Sequence, residues 1–279
     1  MSTGLPTNVI SSFDTEVKQA YQATGKVRRT VRVKSGVVGS THRFPKIGKG
    51  VATPRVPQTD VVPMGIAHSS ATATLTDWNA AEYTDIFNQA KVNYSEQAEL
   101  SMIIGSAISR REDQLLIDAM DAAGTSLTVA TSIGGADTNY NTTKAREAKK
   151  LMDAKNVPGE GRTYLGHTSN LHGLLGDATA TSSDFNTIHA LVNGSITAWM
   201  GFEHVWIGDY DEGGLAKSGN VRKNFAYHNR AVGLAVGIDA RTEVNYIPEK
   251  TSWLANGLFS AGAAVIDAEG LVELDCTES

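Results

Sequence analysis

The chain is poor in the residue types that anchor catalysis and covalent scaffolding. One cysteine, Cys276, stands among 279 residues, which excludes a disulfide framework, a cysteine zinc site and a CxxC redox pair and leaves an inert terminal thiol. No apolar run approaches the roughly 18 residues that a bilayer-crossing helix needs, so no membrane partner is expected. The first basic residue is Lys18 and no apolar stretch follows Met1, which argues against a secretory signal, and Ser2 stands where myristoylation needs glycine. No GxSxG elbow is present, and the seven histidines are scattered. His167 and His172 lie five apart, off a shared helical face, so they form no metal pair. Asp209, Asp211 and Glu212 lack the spacing and the glycine of a calcium loop and read as a solvated turn. Gly134 and Gly135 sit outside any GxxxxGK[ST] or GxGxxG pattern. The expectation is no catalytic residue, no metal, no cofactor and no enzyme.

What the chain does have is an ordinary apolar share, enough length to bury a sizeable core in one large or two modest domains, and an uneven distribution of charge. The formal net charge is −5. Between Glu16 and Asp60 there is no carboxylate, while Lys18, Lys26, Arg28, Arg29, Arg32, Lys34, Arg43, Lys46, Lys49 and Arg55 supply ten cations. The rest of the chain then sets 15 cations against 30 carboxylates, or −15. A basic arm on an acidic body calls for a partner of opposite sign, either nucleic acid or the acidic body of another copy.

Within the arm, Val27, Val31 and Val33 alternate with polar residues, Ser35, Gly36 and Gly39 supply turn chemistry, and 40–47 resumes extended character, which predicts a β-hairpin over 27–47. Four of the seven prolines (Pro45, Pro54, Pro57, Pro63), with Gly48 and Gly50, rule out helix and predict a long extended return. Phe44 is the only aromatic between Lys26 and Gly65, so the segment cannot build its own core, and a lone two-stranded hairpin is marginal in water. It must rest on some other surface, expected to be that of a sister molecule.

Downstream, 69–75 reads as a strand. Asn93 and Glu96 form a capping-box-like start to a long helix over 93–123, with Leu100, Ile103, Ile104, Ala107, Ile108, Leu115, Leu116, Ala119 and Met120 on one face and Gly124 as its stop. Helices are predicted over 141–154 and 169–175, strands over 162–167 and, for the most part, 195–207, and a loop over 208–220. Strands return over 225–236, 241–247 and 263–274, the last broken at 268–270. The strand before the long helix and these C-terminal strands are expected to share one sheet, with the middle unit inserted. As a nucleic-acid module the arm has charge for phosphate contact but no stacking aromatics and no reading helix, so that alternative amounts to non-specific packaging or binding.

The order of these features resembles the major capsid proteins of tailed double-stranded DNA phages, which share the Hong Kong 97-type fold. The resemblance covers essentially the full chain and rests on the basic loop VRRTVRVKSGVVGSTHRFPKIGKG, the helix SEQAELSMIIGSAISRREDQLLIDAMDAAG and the end segment FAYHNRAVGLAVGIDARTEVNYIPEKTSWLANGLFSAGAAVIDAEGLVEL. It implies an α+β fold with an N-arm over 1–25, an extended β-hairpin E-loop over 26–66, a peripheral domain from 67–135 and 221–279 that carries the spine helix, and an axial domain over 136–220. The function implied is a structural protein that self-assembles into an icosahedral shell around double-stranded DNA, each E-loop lying on a neighbouring subunit. Arg28, Arg29, Arg32, Lys34, Arg43, Lys46 and Lys49 are the expected inter-subunit interface residues. Implied partners are copies of the chain as hexamers and pentamers, a portal, in some relatives a decoration protein, packaged DNA by non-specific contact and, because the loop is reached by Lys26, a separate scaffolding protein. The implied location is the virion capsid, with the host cytoplasm during assembly. Some relatives weld subunits by an isopeptide bond, for which Lys34, Lys46 or Lys49 could supply the amine and Asn245 or Asn256 the acceptor.

Overall fold

The computed structural model describes residues 22–91, 95–177, 180, 194, 196–210 and 212–278. In chain order these form β1 (Arg32–Lys34), β2 (Thr41–Ile47), β3 (His68–Thr74), β4 (Thr76–Asp85), the one-turn helix α1 (Ile86–Gln89), α2 (Glu96–Ala122), β5 (Thr128–Val129), α3 (Thr142–Ala154), β6 (Arg162–His167), α4 (Thr168–Leu175), β7 (Ala198–Trp199), β8 (Phe202–Ile207), β9 (Lys217–Ser218), β10 (Val221–His228), β11 (Val232–Ile247), β12 (Ser252–Val265) and β13 (Leu271–Thr277). Single 3-10 turns lie at Arg28–Thr30, Pro248–Lys250 and Ala268–Gly270.

The long helix α2 runs 27 residues, about 40 Å at 1.5 Å per residue. Ser95 stands at its N-cap position without a side-chain capping hydrogen bond, and Asn93, the expected first residue, lies outside the described residues. Ala123 is its C-cap, and Gly124 follows at φ +54°, a left-handed position that glycine occupies without strain. Ile104, Ile108, Leu116, Ile117 and Met120 are buried at helical spacing. The helix lies close on β12, because Gly257 has no side chain: a Cβ there would meet Ile104 Cγ2 and Ile108 Cδ1 at 2.4 Å.

Four strands in the order β1-β11-β12-β4 form the sheet beneath α2. Seven more form a second sheet, β5-β13-β10-β6-β8-β7, with β9 paired to β10. This second sheet is covered on both faces, and its residues alternate between two cores. Leu165, Val205, Ile207, Phe225, Tyr227 and Leu271 join α2, while Tyr164, Phe202, Ala226, Val272, Leu274 and Cys276 join the core around α3 and α4. All six residues of β6 are buried as a result.

Three expectations are corrected. The segment 225–236 is two strands, not one: the turn at Asn229 and Arg230 sends β10 into the seven-stranded sheet and β11 into the four-stranded one. Of the C-terminal strands, therefore, only β11 and β12 share a sheet with the strand before α2, and that strand is β4, which the alternation of Ala and Thr over 69–75 did not reveal. The hairpin over 27–47 is not formed. β1 pairs in parallel with β11, Arg32 opposite Gly233, while β2 pairs antiparallel with β3, Thr41 opposite Thr74 and Ile47 opposite His68. The hairpin is present, displaced along the chain by one strand.

Candidate assembly interface

The basic limb has three parts with different surroundings. At its root, Val27 and Val31 are buried in the main core. Asp113 of α2 accepts the backbone N–H of Lys26 at 2.6 Å and of Val27 at 3.0 Å, fixing the chain against the helix. Thr30 caps this turn, donating from its hydroxyl to the Val27 carbonyl at 2.7 Å and bonding the Tyr227 hydroxyl. Arg28 reaches Glu112 at 3.0 Å and Asp239 at 2.8 Å. Burial pushes the Asp113 and Glu112 carboxyls above their usual range, opposed by the Lys26 and Val27 N–H groups at the first and by the Arg28 guanidinium at the second. The Asp239 hydrogen bond, aided by the charge of Glu112, holds Arg28 above its ordinary value.

The middle part is the ribbon of β2 and β3, seated on β11 and β12. Phe44 is 1% exposed and packs with Ala73 and Ala235, flanked by Val37, Leu75, Ala264 and Ile266. Small residues make the seat. A Cβ at Gly233 would meet the Phe44 ring at 2.8 Å, and one at Gly262 would meet the Thr74 carbonyl oxygen at 2.1 Å. The runs VGLAVG and SAGAAV carry this signal in the sequence, and sequence reasoning missed it. The ribbon's far end is tied by Lys46 to Asp267 at 2.7 Å and by Lys49 to Glu269 at 2.6 Å. The Glu269 hydrogen bond raises the Lys49 pKa, and Lys49 lowers that of Glu269.

The third part is the tip. After Gly48, whose N–H donates to the Ala67 carbonyl at 2.8 Å, every residue over 49–65 is exposed. Val51 is 76% exposed, Val61 89% and Val62 68%, and Val56 and Met64 are also exposed. Apolar side chains concentrated on one projecting element mark a contact surface.

The seven expected interface residues therefore divide. Arg28, Lys46 and Lys49 are paired with carboxylates of their own chain, and Arg29 approaches Glu203 at 3.7 Å with both side chains largely exposed. Arg32 lies over the Phe44 ring at 5.7 Å. Arg32, Lys34 and Arg43 are exposed and carry no ion pair among the described residues. The expectation that the limb finds its folding surface only on a sister molecule is corrected for root and ribbon, which fold on their own chain, and the tip alone is left bare. Of the crosslink acceptors, Asn245 is exposed on β11, and Asn256 has a buried Oδ1 without a hydrogen-bond partner among the described residues.

The loop carboxylates act singly. Asp209 pairs with Arg222 at 2.7 Å and lies 3.2 Å from His167, and Glu212 pairs with Arg111 at 3.2 Å. Asp211 lies outside the described residues. His167 is buried, bonded to Ser169 and Glu278. Cys276 is buried, its thiol pushed up to about 11 by desolvation, so it stays protonated and unreactive at neutral pH.

The described residues thus combine a long helix, a hairpin seated on the sheet of its own chain and an apolar tip left in solvent. The model of the phage capsid protein family matches residues 5–278. The chain belongs to that family. Among solved structures it is similar to the capsid of the Cyanophage P-SCSP1u, with TM-score 0.79 and 19% identity over 100% of this chain and 96% of that one. The head structure of Helicobacter pylori bacteriophage KHP40 matches with TM-score 0.78 and 9% identity over 100% of both chains. Mycobacterium phage Che8 matches with TM-score 0.69 and 16% identity over 97% of this chain and 98% of that one. Such identities speak for the fold alone, and they reproduce it end to end. No curated protein matches. This capsid protein is thus structural, a major component of the virion shell, and it works by associating with copies of itself. The reading as a DNA-packaging protein is not favoured.

Proposed function

We propose that the capsid protein closes into an icosahedral shell around double-stranded DNA by laying the tip, residues 49–65, on a neighbouring subunit. The observation that carries this is the tip itself: five exposed apolar side chains on an extended, proline-containing segment held away from the body by a ribbon that is firmly seated. A surface of that kind is costly in water and is stabilised when a partner covers it. The contact is heterologous, tip on body, so successive copies form rings where the rotation closes, which is the geometry of hexamers and pentamers. In this reading 1–25 is the N-arm, 26–66 the E-loop, 67–135 with 221–279 the peripheral domain that carries the spine helix, and 136–220 the axial domain. The exposed cations Lys34 and Arg43 remain candidates for the interface. Assembly takes place in the host cytoplasm, around a portal.

The test replaces Val51, Val56, Val61 and Val62 with serine. The subunit keeps its melting temperature, since these side chains touch little, while shells disappear from electron micrographs and the protein sediments as small species. Normal shells from that variant refute the role of the tip.

A further inference from the structure

Of the limb's arginines without an ion pair among the described residues, Arg55 lies on the tip and Arg43 on the ribbon. The third, Arg32, lies beside the turn between β10 and β11, where a cleft of about 480 Å³ is lined by Val31, Arg32, Asn229 and Arg230. Val31 also lines the adjoining cleft, which carries Lys26, Arg28 and Arg29. Arg32 and Arg230 are exposed, both line the cleft and have no carboxylate partner among the described residues. Several acids of the surrounding surface are paired, Asp267 with Lys46, Glu269 with Lys49 and Lys155, and Glu112 and Asp239 with Arg28, while Glu160, next to the Gly161 carbonyl that accepts the Asn229 N–H, has no ion pair among the described residues. Positive charge left without a counterion, on a chain whose net charge is −5, marks a place for an anion.

Two anions are conceivable, a carboxylate of another copy and a phosphate, and the cleft distinguishes them. Protein partners are held at apolar or aromatic anchors, and the exposed apolar side chains of this molecule lie on the tip and on β11, at Ile238, Val244 and Tyr246, among other sites. The cleft offers none, because Val31 is buried and the remaining lining is two guanidiniums and an amide. Interfaces with nucleic acid are polar and strongly positive, and the planar guanidinium fork fits phosphate oxygens. We propose that Arg32 and Arg230, with Arg29 on the flank, form a sequence-independent site for the phosphate backbone of double-stranded DNA. The proposal rests on the reading that the shell encloses DNA, and it assigns that contact to one face of the subunit. Base edges are not read there, since no helix or strand projects from the cleft into a groove.

The experiment measures binding of a fluorescent 20-base-pair duplex to the full-length protein over a range of salt, and shell formation separately by electron microscopy. In Arg32→Gln/Arg230→Gln the slope of log K against log salt falls in magnitude by about two, close to 0.9 for each phosphate no longer neutralised. Arg32→Lys/Arg230→Lys keeps most of the slope, and Lys250→Gln, at the far end of the four-stranded sheet, keeps all of it. Shells form in every variant. An unchanged slope in the glutamine variant overturns the proposal, as does a native protein that binds no duplex. Loss of shells with duplex binding intact also overturns it and assigns the cleft to a neighbour's carboxylates. A readout that needs no variant is phenylglyoxal labelling of the native chain: saturating duplex protects Arg32 and Arg230, and equal labelling with and without duplex refutes the site.

Discussion

Ribbon and tip follow one another along the limb, the ribbon with no valine and the tip with four, yet β2 and β3 are seated on the body while 49–65 stands in solvent. The difference lies less in hydrophobicity than in what each meets. Phe44 finds a socket floored by Gly233 and walled by Ala73 and Ala235. Val61 and Val62 find no such surface among the described residues of their own chain. Burial depends on a complementary surface as much as on the side chain buried, so a shell subunit can keep one part of a limb for itself and reserve the next for its neighbour.

The strongest way to break this comparison is Phe44→Ala, which empties the socket. It should cost about 3–5 kcal/mol in urea unfolding and free the ribbon, abolishing shells as well. Next comes Asp113→Ala, which strands the Lys26 and Val27 N–H groups beside α2. A destabilisation of about 2–3 kcal/mol is expected, with faster amide exchange over 26–34 and none over 202–207.

Acid sharpens the same comparison from the other side. His204 lies buried against Tyr140, Tyr164 and Trp206, and desolvation lowers its pKa to about 4. Between its ordinary 6.5 and 4 the unfolded chain takes up a proton that the folded one refuses, so stability falls with falling pH by up to about 3 kcal/mol. Glu278 runs in the same sense at lower pH. Burial opposes its charge, but Arg222, Lys217 and Ser169 hold its pKa at about 2, so its contribution is present above 4.5 and fades toward 2. Asp113 and Glu112, whose pKa values are raised, slope the other way. Urea melts from pH 7 to 4 should therefore show a decline that His204→Phe reduces, with exchange at the seven-stranded sheet rising before exchange at the limb root. The smallest effect is that of Lys46→Ala, which breaks a half-exposed pair and should change stability by no more than about 1 kcal/mol in the same assay.

Much of this was legible in the sequence. The 27-residue helix follows from its apolar spacing and Gly124, β6 and α3 emerged within a residue of their observed bounds, and the prolines alone required the tip to be extended. β4 was not legible, because Thr76–Asp85 mixes Trp78 and Tyr83 with polar and charged residues on a half-open sheet and shows no clean alternation.

The sequence by itself determined that a cation-rich, core-poor limb is joined to an acidic body, since charge and apolar content are sums over residues and need no geometry. Only the tertiary structure decided which cations are spent within the chain and which remain. Lys46 and Asp267 are 221 residues apart, and the glycines that seat Phe44 and β3 are more than 180 residues beyond them. Pairings over such separations depend on where the folded sheets bring side chains together, and no local pattern encodes that.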